Sequence, residues 1–124
     1  MREAKVLLEH DCFDGAFYLC GYAVECALKA RIATQFKRHA WPDRGFVNEI
    51  HTHALRELLR LAGLLGALDR ERRSNPVLKE HWGIVNEWTE LSRYQTGKTR
   101  EVAQNMYRAV TKRRDGLLAW IRRN

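Results

Sequence analysis

The sequence has few of the residues that interrupt helices or cross-link small domains. Only two prolines and eight glycines occur in 124 residues, so long loops are not expected. The three cysteines, Cys12, Cys20 and Cys26, form no C-x-x-C pair, and their odd number predicts no disulfide framework. We therefore expect small, reduced thiols and a cytoplasmic location.

Long apolar runs are also missing. The most apolar stretch, residues 16–24, is too short to cross a bilayer and is followed by Glu25, so no membrane contact is expected. The first residues show no charged segment followed by an apolar one, which argues against a secretory signal. No glycine-rich phosphate loop is present. The His51-x-His53 pair has no third ligand at a suitable spacing, so we expect neither a metal nor a cofactor.

Positive charge is concentrated late in the sequence. The net charge is +7, and residues 98–124 hold eight basic and two acidic residues, which accounts for +6 of it. Such a patch attracts nucleic acid or an acidic protein surface. The alternative is a solvated helix face whose last arginines complement the helix dipole.

Nearly every segment has the helical period, and none alternates as a half-buried strand does. The predicted helices cover about residues 2–10, 13–36, 52–68, 76–91 and 99–121, and residues 40–50 and 69–74 are predicted connections. The second helix is apolar over most of its circumference, so it should lie at the centre. We expect one all-α domain over residues 1–124, an up-and-down four-helix bundle with an additional short helix, about five helices in total.

Local signals mark several helix starts. Asn75 followed by Pro76 is typical of an N-cap with proline at the first helical position, and Thr99 is a candidate cap for the last helix. Asp11 and Asp14 are placed to turn the chain and cap the second helix. Helical spacing also predicts residues that face inward along the two last helices: Leu78, Trp82, Val85, Trp88, Leu91, Val102, Met106, Val110, Leu117 and Ile121.

The remaining aromatic and histidine residues have ordinary structural interpretations. Tryptophans in a chain of this size are expected in the core or in a dimer interface; they are Trp41, Trp82, Trp88 and Trp120. His10, His39 and His81 have no evident partners and are expected at the surface.

Residues 13–30 have the sequence FDGAFYLCGYAVECALKA. This run resembles the signature helix of HEPN domains (higher eukaryotes and prokaryotes nucleotide-binding), in which an aromatic and alanine-rich run is followed by Glu, three residues and Lys-Ala. Here that ending is Glu25 to Lys29 and Ala30.

Two later elements extend the resemblance in the same order. His53 and Leu55, followed by Leu58, resemble the family's His-x-Leu-x-x-Leu helix. Arg93 and Tyr94, with Trp88 and Glu90 before them, resemble the Arg-Tyr element that precedes the last helix. The resemblance implies a helical bundle that pairs as a homodimer, of the small prokaryotic stand-alone type. Many members stand beside a nucleotidyltransferase in toxin–antitoxin systems, and some are toxins that cleave RNA.

The ribonucleases of this family have Arg, four to six residues and then His. Arg44 and His51 are the only such pair in this chain; Gly45 follows the arginine, and the segment is a predicted connection. No histidine follows Arg93. We therefore expect a HEPN protein without a well-placed ribonuclease motif, which acts as a dimeric module that binds a nucleotide, RNA or a nucleotidyltransferase-type partner. The alternative is a metal-independent endoribonuclease toxin that uses Arg44 and His51, and whether the chain is an enzyme stays open.

Glu25 is the most informative polar residue, because it interrupts an otherwise apolar helix. A buried carboxylate needs a cation or several donors, and Lys29, one turn later, and Arg93, from another helix, are the candidate partners. These residues form either a charge network that fixes helix register or a polar pocket for a nucleotide. Arg93 and Tyr94 suit phosphate binding and base stacking, or they neutralise Glu25 and close the core. His51 and His53 are expected to cap or pack the start of their helix, and the resemblance implies that His53 is a local structural or pocket residue.

Overall fold

The computed structural model describes residues 1–36, 40 and 42–124. These residues form eight α-helices and one 3₁₀ helix, without a strand, so the all-α prediction is confirmed and the count of about five helices is wrong. The helices are α1 Arg2–Glu9, α2 Phe13–Ala33, α3 Arg44–Ile50, α4 Leu55–Leu61, α5 Leu65–Ser74, α6 Pro76–Asn86, α7 Arg100–Thr111 and α8 Leu117–Arg123, with the 3₁₀ helix at Glu90–Tyr94 between α6 and α7.

The predicted helix at 52–68 is divided by Gly63. Gly63 has φ +71°, its N–H donates to Arg60 O at 3.0 Å, and the Leu64 N–H donates to Leu59 O at 2.9 Å. This is a Schellman ending, in which a left-handed glycine satisfies the last carbonyls of a helix. A new helix, α5, then runs through residues 69–74, which the sequence analysis assigned to a turn.

The predicted last helix is also divided, by a different kind of turn. α7 ends at Thr111, and Gly116 turns the chain into α8 by donating to Lys112 O at 2.9 Å. A Cβ at Gly116 would lie 2.4 Å from that carbonyl oxygen, so only glycine fits the turn. A further helix, α3, occupies most of the predicted connection at 40–50, because the Asp43 carboxylate accepts from Phe46 N–H at 3.2 Å and caps it.

Helix α2 lies at the centre, as its apolar circumference predicts. It packs against α1, α4, α7, α8 and the 3₁₀ helix. Its fully buried apolar side chains include Cys20, Val24, Leu28 and Ile32. Glu25 lies on the same buried side of the helix and is itself shielded from solvent.

Two predicted caps are confirmed, and the two predicted for α2 are wrong. Asn75 accepts from Leu78 N–H at 3.0 Å with Pro76 at the first position of α6, and Thr99 accepts from Val102 N–H at 3.2 Å at the start of α7. The N-cap of α2 is Cys12, without a side-chain cap hydrogen bond, so Asp11 does not cap this helix and neither does Asp14. The Asp14 carboxylate accepts from the backbone N–H groups of Gly97 and Lys98 at 3.3 and 2.8 Å, and so fixes the loop that precedes α7.

The inward-facing residues are mostly confirmed. Trp82, Trp88 and Trp120 are all buried, whereas the prediction for Trp41 lies outside the described residues. Leu91 and Val102 are exposed, because α6 ends at Asn86 before Leu91 and Val102 lies on the outer side of the first turn of α7. Within the described part of the chain, no helix is both long enough and apolar enough to cross a membrane.

Candidate functional site

Glu25 lies in the middle of α2 and is only 2% exposed. The Lys29 ammonium, one turn later on the same helix, lies 2.9 Å from Glu25 Oε1. His53 Nδ1 lies 2.9 Å from the same oxygen. The other oxygen, Oε2, is buried with no hydrogen-bond partner among the described residues. The carboxylate is therefore held by two donors on one oxygen and is unsatisfied on the other.

His53 bridges two carboxylates. It belongs to the short segment between α3 and α4, where Thr52 Oγ1 accepts from the Ala54 N–H at 3.1 Å. Its Nε2 lies 3.1 Å from Glu90 Oε2, on the first turn of the 3₁₀ helix. The Nδ1 contact with Glu25 is a hydrogen bond, and the Nε2 contact with Glu90 is an ion pair when the imidazole is protonated. Three separate segments thus meet at one imidazole.

A small cavity of about 290 Å³ opens beside this cluster. His53 and Glu90 line it together with the hydroxyl residues Thr52 and Thr89. Apolar walls are supplied by Ala54, Trp88 and Leu91. The cavity therefore combines a carboxylate, an imidazole and hydroxyl groups with an apolar surface, which is the usual composition of a small-ligand site.

Trp88 is fixed in this wall by α2. Its indole N–H donates to Tyr18 O at 3.1 Å, and the Tyr18 and Trp88 ring centroids are 5.9 Å apart. The indole also lies directly on Gly21, where an added Cβ would come within 2.2 Å of Trp88 Cγ. The contact between Gly21 and Trp88 was not predicted from the sequence. The only local signal for it was the presence of a glycine inside an apolar helix.

Glu90 was also missed as a partner of His53. It follows Thr89, whose side chain forms a capping box with Ser92; the Thr89 N–H donates to Ser92 Oγ at 3.3 Å. The Thr-x-x-Ser spacing was the local signal for this helix start. The capped turn sets Glu90 in place, but pairing it with His53 depends on tertiary packing.

Arg93 and Tyr94 do not join this cluster, so the expected Arg93–Glu25 pair is wrong. Arg93 lies at the far end of the 3₁₀ helix and is exposed, with its guanidinium carbon 4.8 Å from the centroid of the Tyr94 ring. Tyr94 is 70% exposed, so it does not close the core either. His53 takes the position beside Glu25 that the sequence analysis considered for Arg93.

Arg44 and His51 are at opposite ends of α3. Arg44 is its first residue and His51 its C-cap, and both are exposed. Seven positions on a helix return almost to the same face and span roughly 10 Å along the axis. Asp43, which precedes the pair, caps the helix. Within one chain the two side chains therefore share a face but start two turns apart.

The other candidate residues have structural roles. Cys20 is buried, which raises its pKa to about 12 and keeps the thiol protonated, whereas Cys12 and Cys26 are exposed. His81 is not a surface residue as expected: it is 4% exposed, and its Nδ1 lies 2.7 Å from Asp115 O in the turn before α8. His10 is exposed, and His39 lies outside the described residues. No group of three or more potential metal ligands occurs in the described ranges.

The basic segment 98–124 is divided between α7, the following turn and α8. Some of its cations are used internally: the Lys98 ammonium lies 4.7 Å from the Phe17 ring centroid, Arg100 pairs with Asp11, and Arg123 lies 2.9 Å from Glu71 Oε1. Others, including Lys112 and Arg113, are exposed. The segment thus combines cations that are paired within the chain with cations that are exposed.

Comparisons with models of known protein families, with curated proteins and with solved structures find no match to this chain. The resemblance to HEPN domains therefore stays a prediction that rests on the residues quoted for it. The geometry of the Glu25, His53 and Glu90 cluster, beside its cavity, is the basis for a functional proposal.

Proposed function

We propose that this chain is a HEPN-type binding module that holds a nucleotide-type ligand without cleaving RNA. The observation that supports it best is the position of His53, which lies between Glu25 and Glu90 at the edge of a cavity of about 290 Å³. Glu90 is 46% exposed, so its carboxylate is accessible to a ligand.

The chemistry of this cavity favours the base and not the phosphate of a nucleotide. Glu90 offers hydrogen-bond acceptors, which match the exocyclic amine and ring N–H groups of nucleobases. A carboxylate repels phosphate, whereas Ala54 and Leu91 give the cavity exposed apolar surface that suits a flat ring. A volume of about 290 Å³ also fits a base better than a whole nucleotide.

Titration of the full chain with nucleosides, followed by NMR of its backbone amides, tests the proposal. Adenosine, guanosine and cytidine, which present exocyclic amines, should shift the resonances of the residues around the cavity. Glu90→Gln should weaken this binding about tenfold or more, because one acceptor becomes a donor. Glu87→Gln is the matched control, since Glu87 is exposed at the end of α6. Equal shifts in both variants, or no shifts in the wild type, would reject the proposal.

The proposal includes a homodimer and a nucleotidyltransferase-type partner, as in toxin–antitoxin systems. Three exposed apolar side chains support an interface because the helices that carry them pack against one another: Val6 on α1, Tyr22 on α2 and Val102 on α7. Light scattering should give twice the chain mass of 14.6 kDa. A monomer at all concentrations would remove the dimer from the account, and co-purification with a co-expressed nucleotidyltransferase tests the partner.

A metal-independent endoribonuclease is the second candidate. One observation favours it: Arg44 and His51 are both exposed and lie on nearly the same face of α3. In a ribonuclease, the imidazole would transfer a proton and the guanidinium would stabilise charge on the phosphate. RNA cleavage that disappears in His51→Ala would favour this candidate over the binding module.

A further inference from the structure

A cavity of about 690 Å³ lies among α4, α5 and α6 and is formed mainly by basic side chains. Each of the three helices contributes at least one cation to it. The residues that line it are Arg56, Asp69, Arg72, Arg73, Pro76 and Lys79. We call this surface the basic basin. None of its six lining residues belongs to the segment 98–124 or to the cavity beside His53.

The positive charge of the basic basin is not neutralised from within. Its one carboxylate, Asp69, lies 3.3 Å from Arg72 Nε on the same helix. Among the described residues, no carboxylate lies within 4.0 Å of the charged groups of Arg56, Arg73 or Lys79. Three cations therefore face a shared concave space without a partner, and their mutual repulsion is relieved when an anion enters.

The helix dipoles explain some of these cations and not others. Arg72 and Arg73 are in the last turn of α5, where a cation is favourable. Lys79 is in the first turns of α6, and Pro76, the first residue of that helix, lines the basin. A cation near the positive end of a helix is unfavourable unless an anion is bound there. Lys79 therefore gains nothing from the dipole of α6, in contrast to Arg72 and Arg73 on α5.

We propose that the basic basin binds phosphate groups. Three of its four cations are arginines, whose planar guanidinium groups bind phosphate oxygens in pairs. No aromatic ring is among the lining residues, so the basin has no platform for stacking bases. It recognises the phosphates of an RNA backbone or of a free nucleotide without regard to the base, and so it is distinct from the cavity beside His53.

The test uses the full chain and the variant Arg56→Gln/Arg73→Gln/Lys79→Gln. The probes are a fluorescently labelled single-stranded RNA, followed by anisotropy over a range of salt concentrations, and ATP as the free nucleotide. The variant should weaken phosphate binding about tenfold or more. The slope of the logarithm of the binding constant against the logarithm of the salt concentration should become shallower by about two, because each phosphate contact on a single strand contributes roughly 0.7 to it. Tighter RNA binding identifies the backbone as the source of phosphate, and binding of ATP alone identifies a nucleotide.

The control Lys112→Gln/Arg113→Gln/Arg122→Gln removes the same number of positive charges, three, from exposed positions outside the basic basin. An equal loss of affinity in the control would show that net charge, and not the basic basin, binds the probe. If polyglutamate displaces the labelled RNA as effectively as unlabelled RNA does, the basic basin binds an acidic protein surface and the proposal is overturned. Absence of binding to both RNA and ATP would also overturn it. The circular dichroism spectra of the variant and of the control should match that of the wild type, which shows that a difference in affinity does not result from unfolding.

Discussion

The Glu25 carboxylate and the His53 imidazole are 28 residues apart in the sequence and 2.9 Å apart in the fold. This contact joins the central helix α2 to the segment before α4. Lys29, the other hydrogen-bonding partner of Glu25, comes from the same helix as the carboxylate. His53 is therefore the group that converts a local ion pair into a tertiary contact and positions the candidate site.

Replacement of His53 by Ala should lower the free energy of unfolding by about 1–2 kcal/mol. The reason is that Glu25, which already has one unsatisfied oxygen, loses one of its two donors while it stays buried. Urea unfolding followed by circular dichroism measures the change. His51→Ala is the control and should stay within about 0.5 kcal/mol of the wild type, because His51 is exposed at the end of α3. Equal stability of the two variants would show that the contact does not support the fold.

Gly21→Ala should destabilise the protein by about 2–3 kcal/mol, because the new methyl group would overlap the indole of Trp88. Gly83→Ala is a matched control inside α6, where a Cβ meets nothing within 4 Å. It should be neutral or stabilise by about 0.5–1 kcal/mol, since alanine favours a helix over glycine. Thermal unfolding distinguishes the two. A Gly21→Ala variant as stable as Gly83→Ala would be incompatible with the packing of Trp88 on α2.

Cys20 should resist thiol reagents in the native protein, because burial raises its pKa to about 12 and removes it from solvent. Cys12 and Cys26 are exposed and should react at neutral pH. Mass spectrometry after treatment with iodoacetamide should show two modified cysteines in the folded chain and three after denaturation. Rapid native modification of Cys20 would mean that α2 is not buried as described.

Gly63→Ala should cost about 1 kcal/mol or more, because its φ of +71° is unfavourable for a residue with a Cβ, although nothing lies within 4 Å of that position. Gly66→Ala, three residues later and inside α5, is the control and should not destabilise. Urea unfolding of both variants tests whether Gly63 ends α4. If the two variants have the same stability, the chain continues as one helix through this region.

The sequence predicted the features that depend on local patterns. Its apolar periodicity placed α2 at the centre, and the caps at Asn75 and Thr99 marked two helix starts correctly. The predicted helix count was wrong for two reasons. Gly63 and Gly116 lie inside apolar patterns, and periodicity alone does not show that a turn interrupts them. The segment predicted as a connection at 40–50 also contains a helix, α3.

The candidate site was only partly predictable for the same physical reason. Glu25 stood out as a charge on an apolar helix, and Lys29 was found because partners one turn apart are local. The contacts of His53 with Glu25 and Glu90 depend on how distant segments pack, and no local rule ranks His53 above Arg93 as the partner of Glu25.

The most direct test of the account is incubation of the purified chain at high concentration with labelled structured and unstructured RNA in EDTA. A native gel measures binding and a denaturing gel measures cleavage, with His51→Ala treated in parallel. The account predicts RNA that is bound and intact with both proteins. RNA that the wild type cleaves and His51→Ala leaves intact would contradict it and would assign the chain to the ribonucleases.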